Sequence, residues 1–222
     1  MERVERKYLC SDYDILLLQQ RLQLVLSADM HQRGKSYQVR SVYLDTPEDE
    51  CYYENENGVD ERKKYRIRIY GGNSEVIKFE IKRKICGKTG KEVWMLSKTE
   101  CEEILAGKIC KNEQIAFFQQ EKRLRPVTVI DYERSAYVYN LGNVRITFDR
   151  NITASSEYRR FFDADMLKIP ILPEHIHLME VKYDEFLPDY IADILELGKL
   201  RQVTFSKYFI GRQKTEVIKN LV

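Results

Sequence analysis

Polar and apolar residues alternate with period two over eight stretches of the chain: 3–9, 37–45, 63–70, 76–84, 92–96, 127–139, 144–150 and 176–183. Alternation of this kind sends successive side chains to opposite sides of an extended backbone, so each stretch predicts a strand with one apolar and one polar face. A different period governs Ile15, Leu18, Leu22, Val25 and Leu26, which predict a helix from Ser11 to about Asp29, capped by Ser11 or Asp12. Ser97 with Glu100 three residues on is a capping-box pattern, and it predicts a short helix to about Ala106, ended by Gly107. Further helices are predicted from about Asn112 to Lys122, from Pro188 to Leu197 with Gly198 beyond its end, and from about Ser206 onward.

Eight strands suffice to close a barrel. The helices have broad apolar faces that need a sheet to cover. The expectation is an α+β fold: a closed antiparallel β-barrel of about eight strands forming a charged tunnel, with helices packed outside. A length of 222 residues without repeat, linker or low-complexity tract fits one domain over residues 1–222.

The polar faces carry most of the functional information. In 62–70, alternation aligns Arg62, Lys64, Arg66 and Arg68 against Tyr65, Ile67 and Ile69. In 78–84 it aligns Lys78, Glu80, Lys82 and Lys84 against Phe79 and Ile81, with Arg83 breaking the apolar side. Tyr132 with Arg134, Arg145 with Thr147 and Asp149, Glu180 with Lys182, and Glu5 with Lys7 repeat the separation. One such strand alone reads as half-exposed with its charges in water. Several together, on strands whose other face must receive the helices, place the charges inside.

Composition narrows what such an interior is for. With 37 Lys plus Arg against 35 Asp plus Glu, the net charge of +2 excludes a generally basic nucleic-acid binder. The 15 Tyr and 9 Phe fall on apolar strand faces or in helices, so they read as core and not as base-stacking platforms. No stretch approaches the roughly 20 apolar residues of a membrane span, and the acidic and basic residues at positions 2–7 are unlike a secretory signal, so a soluble cytoplasmic protein is expected. The five cysteines are odd in number and irregularly spaced, and read as reduced and structural. Gly87-Lys88-Thr89 lacks the upstream glycine of a P-loop and reads as a hairpin turn; His175 and His177 lack a third zinc ligand. A cation-rich interior needs counterions, and Glu5, Glu80 and Glu180 supply only part of them, so a polyanion is the expected guest. A phosphate chain suits it, because arginine binds phosphate oxygens in bidentate fashion and lysine follows as a point charge.

The segments Glu5-Arg6-Lys7-Tyr8-Leu9, Ser41-Val42-Tyr43-Leu44-Asp45-Thr46-Pro47, Lys64 to Tyr70, Glu80 to Lys84, Tyr132 to Tyr137, Val144 to Asp149, Glu180-Val181-Lys182 and Phe205-Ser206-Lys207-Tyr208 resemble, in order and spacing, the polyphosphate polymerase (VTC) domain of the triphosphate tunnel metalloenzyme superfamily, relatives of the CYTH domains. The resemblance covers nearly the whole chain. It implies transfer of the γ-phosphate of ATP, or another nucleoside triphosphate, onto growing inorganic polyphosphate with Mn²⁺ or Mg²⁺. It assigns phosphate binding in the tunnel to Lys7, Arg66, Arg68, Lys82, Arg134 and Arg145, with Lys207 beside Ser206 near the C-terminus. It makes Tyr132 a tunnel tyrosine and Glu180 the metal ligand; the facing pattern adds Lys64, Lys84 and Lys182 as substrate contacts. Paired with Lys182 or with an arginine across the lumen, Glu180 would instead be a plain ion-pair residue. The CYTH relatives begin Glu-x-Glu-x-Lys, whereas Arg3 stands at the first acidic position here, which disfavours a two-metal hydrolase. The expected protein is a monomer that binds no nucleic acid and has room for a membrane-protein partner. A triphosphate or tripolyphosphate hydrolase and a non-catalytic polyphosphate- or inositol-phosphate-binding module are the alternatives.

Overall fold

The computed structural model describes residues 3–219 except 31, 33 and 87. The turn read at Gly87 therefore lies partly outside the described residues. The chain runs β1 (Arg3–Ser11), α1 (Asp12–Leu22), β2 (Ser27–Ala28), β3 (Tyr37–Asp45), α2 (Glu50–Glu56), β4 (Arg62–Tyr70), β5 (Ile77–Ile85) and β6 (Lys88–Leu96). There follow α3 (Lys98–Leu105), α4 (Glu113–Lys122), β7 (Arg125–Tyr139), β8 (Val144–Ser155), β9 (Ile169–Pro170), β10 (Ile176–Asp184), α5 (Asp189–Leu195) and α6 (Lys207–Lys219). The class is α+β, and the eight long strands are those the alternation predicts. Among the described residues no helix is long and apolar enough to cross a membrane.

The strands pair in the order β1-β10-β8-β7-β3-β4-β5-β6, with β2 on β7 and β9 on β8. The order ends on β1 and β6, so the sheet is open, which corrects the expected closed barrel. Strand number permits closure but does not dictate it. The outer edge of β1 is taken by the segment ahead of α6, where Tyr8 bridges Gln202 and the Val203 N–H donates to the Lys7 carbonyl at 2.8 Å. Lys91 stands on β6, and lysine on an edge strand discourages pairing there.

Two compact units make up the chain: residues 1–38, 132–152 and 172–205 form one, and residues 39–131, 153–171 and 206–222 the other. In the first, α1 and α5 cover the apolar face, with Ile15, Leu18, Leu22 and Ile191 packed on Ile146, Phe148, Met179 and Val181. Burying each such side chain is worth about 1.5–3 kcal/mol. Of the two expected caps it is Ser11 that starts α1, in a capping box with Asp14. The helix stops at Leu22 and not near Asp29, because Ser27 and Ala28 pair with Val138 and Tyr137 instead.

In the second unit α4 lies on the apolar face, where Phe118 meets Tyr65 and Trp94, and Trp94 meets Phe79. Ser97 caps α3 as predicted, and Asn112, where the next helix was expected to begin, caps α4. Arg83, the misfit on this face, pairs with Glu92 at 2.8 Å and lies over the Phe118 ring. One helix departs from the expected outside position. Tyr208 of α6 stacks on Tyr43 at 5.0 Å, and Tyr43 contacts Arg66, so α6 packs on the charged side of its unit's sheet. Gly211 permits this: a Cβ there would clash with Ile130 Cδ1 of β7. Of the five free cysteines, four are buried and Cys86 is exposed.

Candidate functional site: two charged sheet faces

In the second unit, β4, β5 and β6 bring their charges to one face. Register sets Arg62 opposite Lys84, Lys64 opposite Lys82, Arg66 opposite Glu80 and Arg68 opposite Lys78, and it continues Lys82 to Lys91. On these three strands Glu80 is the one acid of that face among the described residues. It is fully buried, and three cations share it. Arg66 Nε donates to Oε2 at 2.6 Å, Arg68 NH1 lies 3.8 Å from the same oxygen, and Lys91 Nζ reaches Oε1 at 2.6 Å. Burial pushes the Glu80 carboxyl up, but Arg66, Arg68 and Lys91 outweigh it and hold it at about 2.

The neighbouring strand and helix complete this face. Arg68 Nε donates to Ser41 Oγ at 3.0 Å, and Arg66 NH1 to the Tyr43 hydroxyl at 3.3 Å. Burial would raise the Tyr43 hydroxyl, yet Arg66, Arg68 and Lys207 hold it below the usual tyrosine range. Lys64 Nζ donates to Ser206 Oγ at 3.0 Å and to Asn55 at 2.7 Å, and it lies over the Tyr208 ring. Ser206 caps α6 through the Phe209 N–H at 3.3 Å. The positive end of α6 thus meets Lys64, Lys207 and the arginine row in one place, an arrangement suited to an anion. The Tyr208 hydroxyl donates a hydrogen bond to Asp45, whose carboxylate also accepts from the N–H groups of Cys51 and Tyr52, so this pair is structural. Of the residues read from sequence, Lys64, Arg66, Arg68, Lys82, Lys84, Ser206 and Lys207 all fall in this unit.

Lys7, Tyr132, Arg134, Arg145, Glu180 and Lys182 fall in the first unit, and there cations and acids balance. Arg134 grips Asp149 bidentately at 2.6 and 2.7 Å and lies over the Tyr132 ring at 5.1 Å. Burial works against its charge, but Asp149, then Tyr132 and Glu180, outweigh that. Arg145 pairs with Asp29 at 2.5 Å and reaches the Tyr37 hydroxyl at 3.4 Å. Lys182 lies 3.1 Å from Glu180 and 3.5 Å from Glu5. Lys7 lies 3.1 Å from Glu5 and donates to the Phe205 carbonyl at 2.8 Å. Glu180 is therefore an ion-pair residue as it stands. Sequence reasoning missed Tyr37, Tyr43, Asp29 and Lys91; Lys91 was within reach had the alternation ending at Leu96 been followed back to Lys88.

No group of three His, Cys, Asp or Glu among the described residues is placed to hold a metal. Glu180 and Glu5 do share one face, linked through Lys182. Such a lean set of hard oxygens fits an ion that keeps water and phosphate oxygens as its other ligands. His175 and His177 each meet an Asp12 oxygen at 2.7 Å, tying the first turn of α1 to the start of β10.

An antiparallel α+β protein with a lysine- and arginine-rich sheet face is the class these features define. Solved structures share the fold. A candidate adenylate cyclase from Bacillus halodurans superposes with a TM-score of 0.56 at 16% identity, covering 93% of this chain and 96% of its own. A candidate adenylyl cyclase from Hippeastrum, described as having a dominant triphosphatase activity, does so with a TM-score of 0.58 at 14% identity, covering 97% of each chain. No curated protein matches in a sequence comparison. A model of the VTC domain matches residues 2–216, and the chain belongs to the VTC domain family. The resemblance drawn from the motifs holds at that level.

Proposed function

We propose that the chain is a polyphosphate polymerase that transfers the γ-phosphate of ATP onto a growing inorganic polyphosphate chain, with Mn²⁺ or Mg²⁺. The supporting observation is the face on β4, β5 and β6, where Arg62, Lys64, Arg66, Arg68, Lys78, Lys82, Lys84 and Lys91 stand against Glu80, the one acid of that face among the described residues. Phosphoryl transfer needs alignment and charge neutralisation more than covalent help, and fixed cations supply both before substrate arrives. Arg66 and Arg68 are pre-oriented by Glu80, Tyr43 and Ser41, so they meet phosphate oxygens without first being ordered. Lys64, Ser206 and Lys207 add a second anion contact at the α6 N-terminus. Glu180, with Glu5, would hold the divalent ion, whose chemistry is to neutralise charge on the transferring phosphoryl group. To hold an ion, Glu180 would have to exchange its pairing with Lys182 for it.

A second reading, hydrolysis of triphosphate or tripolyphosphate, is favoured by the triphosphatase activity of the Hippeastrum protein. Arg3 argues against it, because it stands where a hydrolase of the CYTH type has an acid, and it pairs with Asp184 at 3.7 Å. Incubation with ATP and Mn²⁺ separates the readings. Growth of a polyphosphate ladder supports the polymerase; orthophosphate without chain growth selects the hydrolase. Tight binding with no product in any metal selects a binding module.

A further inference from the structure

Thr147 stands on β8 between Arg145 and Asp149, and register places it directly opposite Glu180 of β10. It is 3% exposed, and its Oγ1 has no hydrogen-bond partner among the described residues. The charged groups around it are engaged: Arg134 by Asp149, Arg145 by Asp29, and Lys182 by Glu180 and Glu5. A buried hydroxyl without a partner destabilises a fold, whereas valine would fill nearly the same volume at no such cost. A polar group kept where its apolar isostere would be the more stable choice points to a ligand.

We propose that Thr147 Oγ1 is a phosphate-binding group that donates a hydrogen bond to an oxygen of the phosphate chain beside Glu180. This rests on the reading of the chain as a phosphate-chain protein and adds one contact to it. Carboxylates flank this point, at Glu180 across the strand pair and Asp149 two residues on, and both repel a phosphate. The cations nearby are already committed to carboxylates, so a neutral donor is what lets an anion approach here.

Thr147→Val and Thr147→Ser, titrated with tripolyphosphate in EDTA and then with Mn²⁺, and melted in parallel, test the assignment. The valine protein is expected to melt at or above the wild-type temperature and to bind roughly fivefold more weakly in EDTA, the loss of one neutral hydrogen bond. The serine protein keeps the hydroxyl and is expected to bind within about twofold of wild type. Equal binding by valine and wild type would overturn the proposal. So would a loss seen only with Mn²⁺, which would put the hydroxyl at the ion, or equal impairment of both variants with lowered melting. Failure of the wild-type chain to bind tripolyphosphate at all would sink the functional reading itself, a different result from a valine variant that binds normally.

Discussion

Glu80→Gln removes one negative charge and almost no volume, yet it leaves Arg66, Arg68 and Lys91 without their shared carboxylate. The displacement of the carboxyl from an ordinary 4.5 to about 2, converted at about 1.4 kcal/mol per tenfold, amounts to about 3 kcal/mol, in line with the cost of orphaning one side of a buried ion pair. The sign follows from the direction. A carboxylate held below its unfolded value adds stability that is complete above about pH 4.5 and vanishes as the pH falls through about 2. Urea unfolding at pH 7 is expected to show the variant about 3 kcal/mol less stable, with the gap shrinking to about half or less by pH 3. Tripolyphosphate, which restores negative charge to the face, is expected to raise the melting temperature more in the variant than in wild type. A variant as stable as wild type at pH 7, or a gap that ignores pH down to 3, would refute the account of Glu80 as the common counterion.

Arg66→Ala is expected to weaken tripolyphosphate binding about 10- to 100-fold, the range for losing charge-assisted hydrogen bonds, with binding measured calorimetrically at fixed salt; unchanged affinity would remove this face from the site. Glu180→Gln should abolish Mn²⁺-dependent turnover of ATP while leaving nucleotide binding in EDTA within a few-fold of wild type, and full activity would place the metal elsewhere. Gly211→Ala should cost about 1–3 kcal/mol through the clash with Ile130 Cδ1, and adding Ile130→Val, which deletes that atom, should recover most of it. Strictly additive effects of the two changes would deny the contact.

The strands were legible because alternation is a local signal, and the caps at Ser11 and Ser97 were legible because a side chain three residues from its target decides them. The extent of α1 was not. Val25 and Leu26 continue the helical period, but Ser27 and Ala28 answer to partners more than a hundred residues away. The helix α2 was missed although its first turn carries Glu50 after Asp49, since its capping acceptor is Asp45 of the preceding strand and Asp49 enters it with φ 57°. The charged faces of the alternating strands were legible from parity, and the roles read for their residues came from the family resemblance. Two of their ion-pair neighbours were not, because Asp29 comes from the segment between β2 and β3 and Lys91 lay before the stretch read as strand. Strand count likewise carried no information about which edges would meet.

The short segment ahead of α6 holds Lys7 twice, by its carbonyl through Val203 and by its ammonium through Phe205. A chain shortened or altered between Gln202 and Phe205 would therefore free a bare β1 edge for pairing with another molecule and, in the same stroke, leave the Lys7 ammonium to Glu5. Sequence variation in what looks like a connector would then register as a repositioned lysine and as aggregation, two symptoms with a common origin.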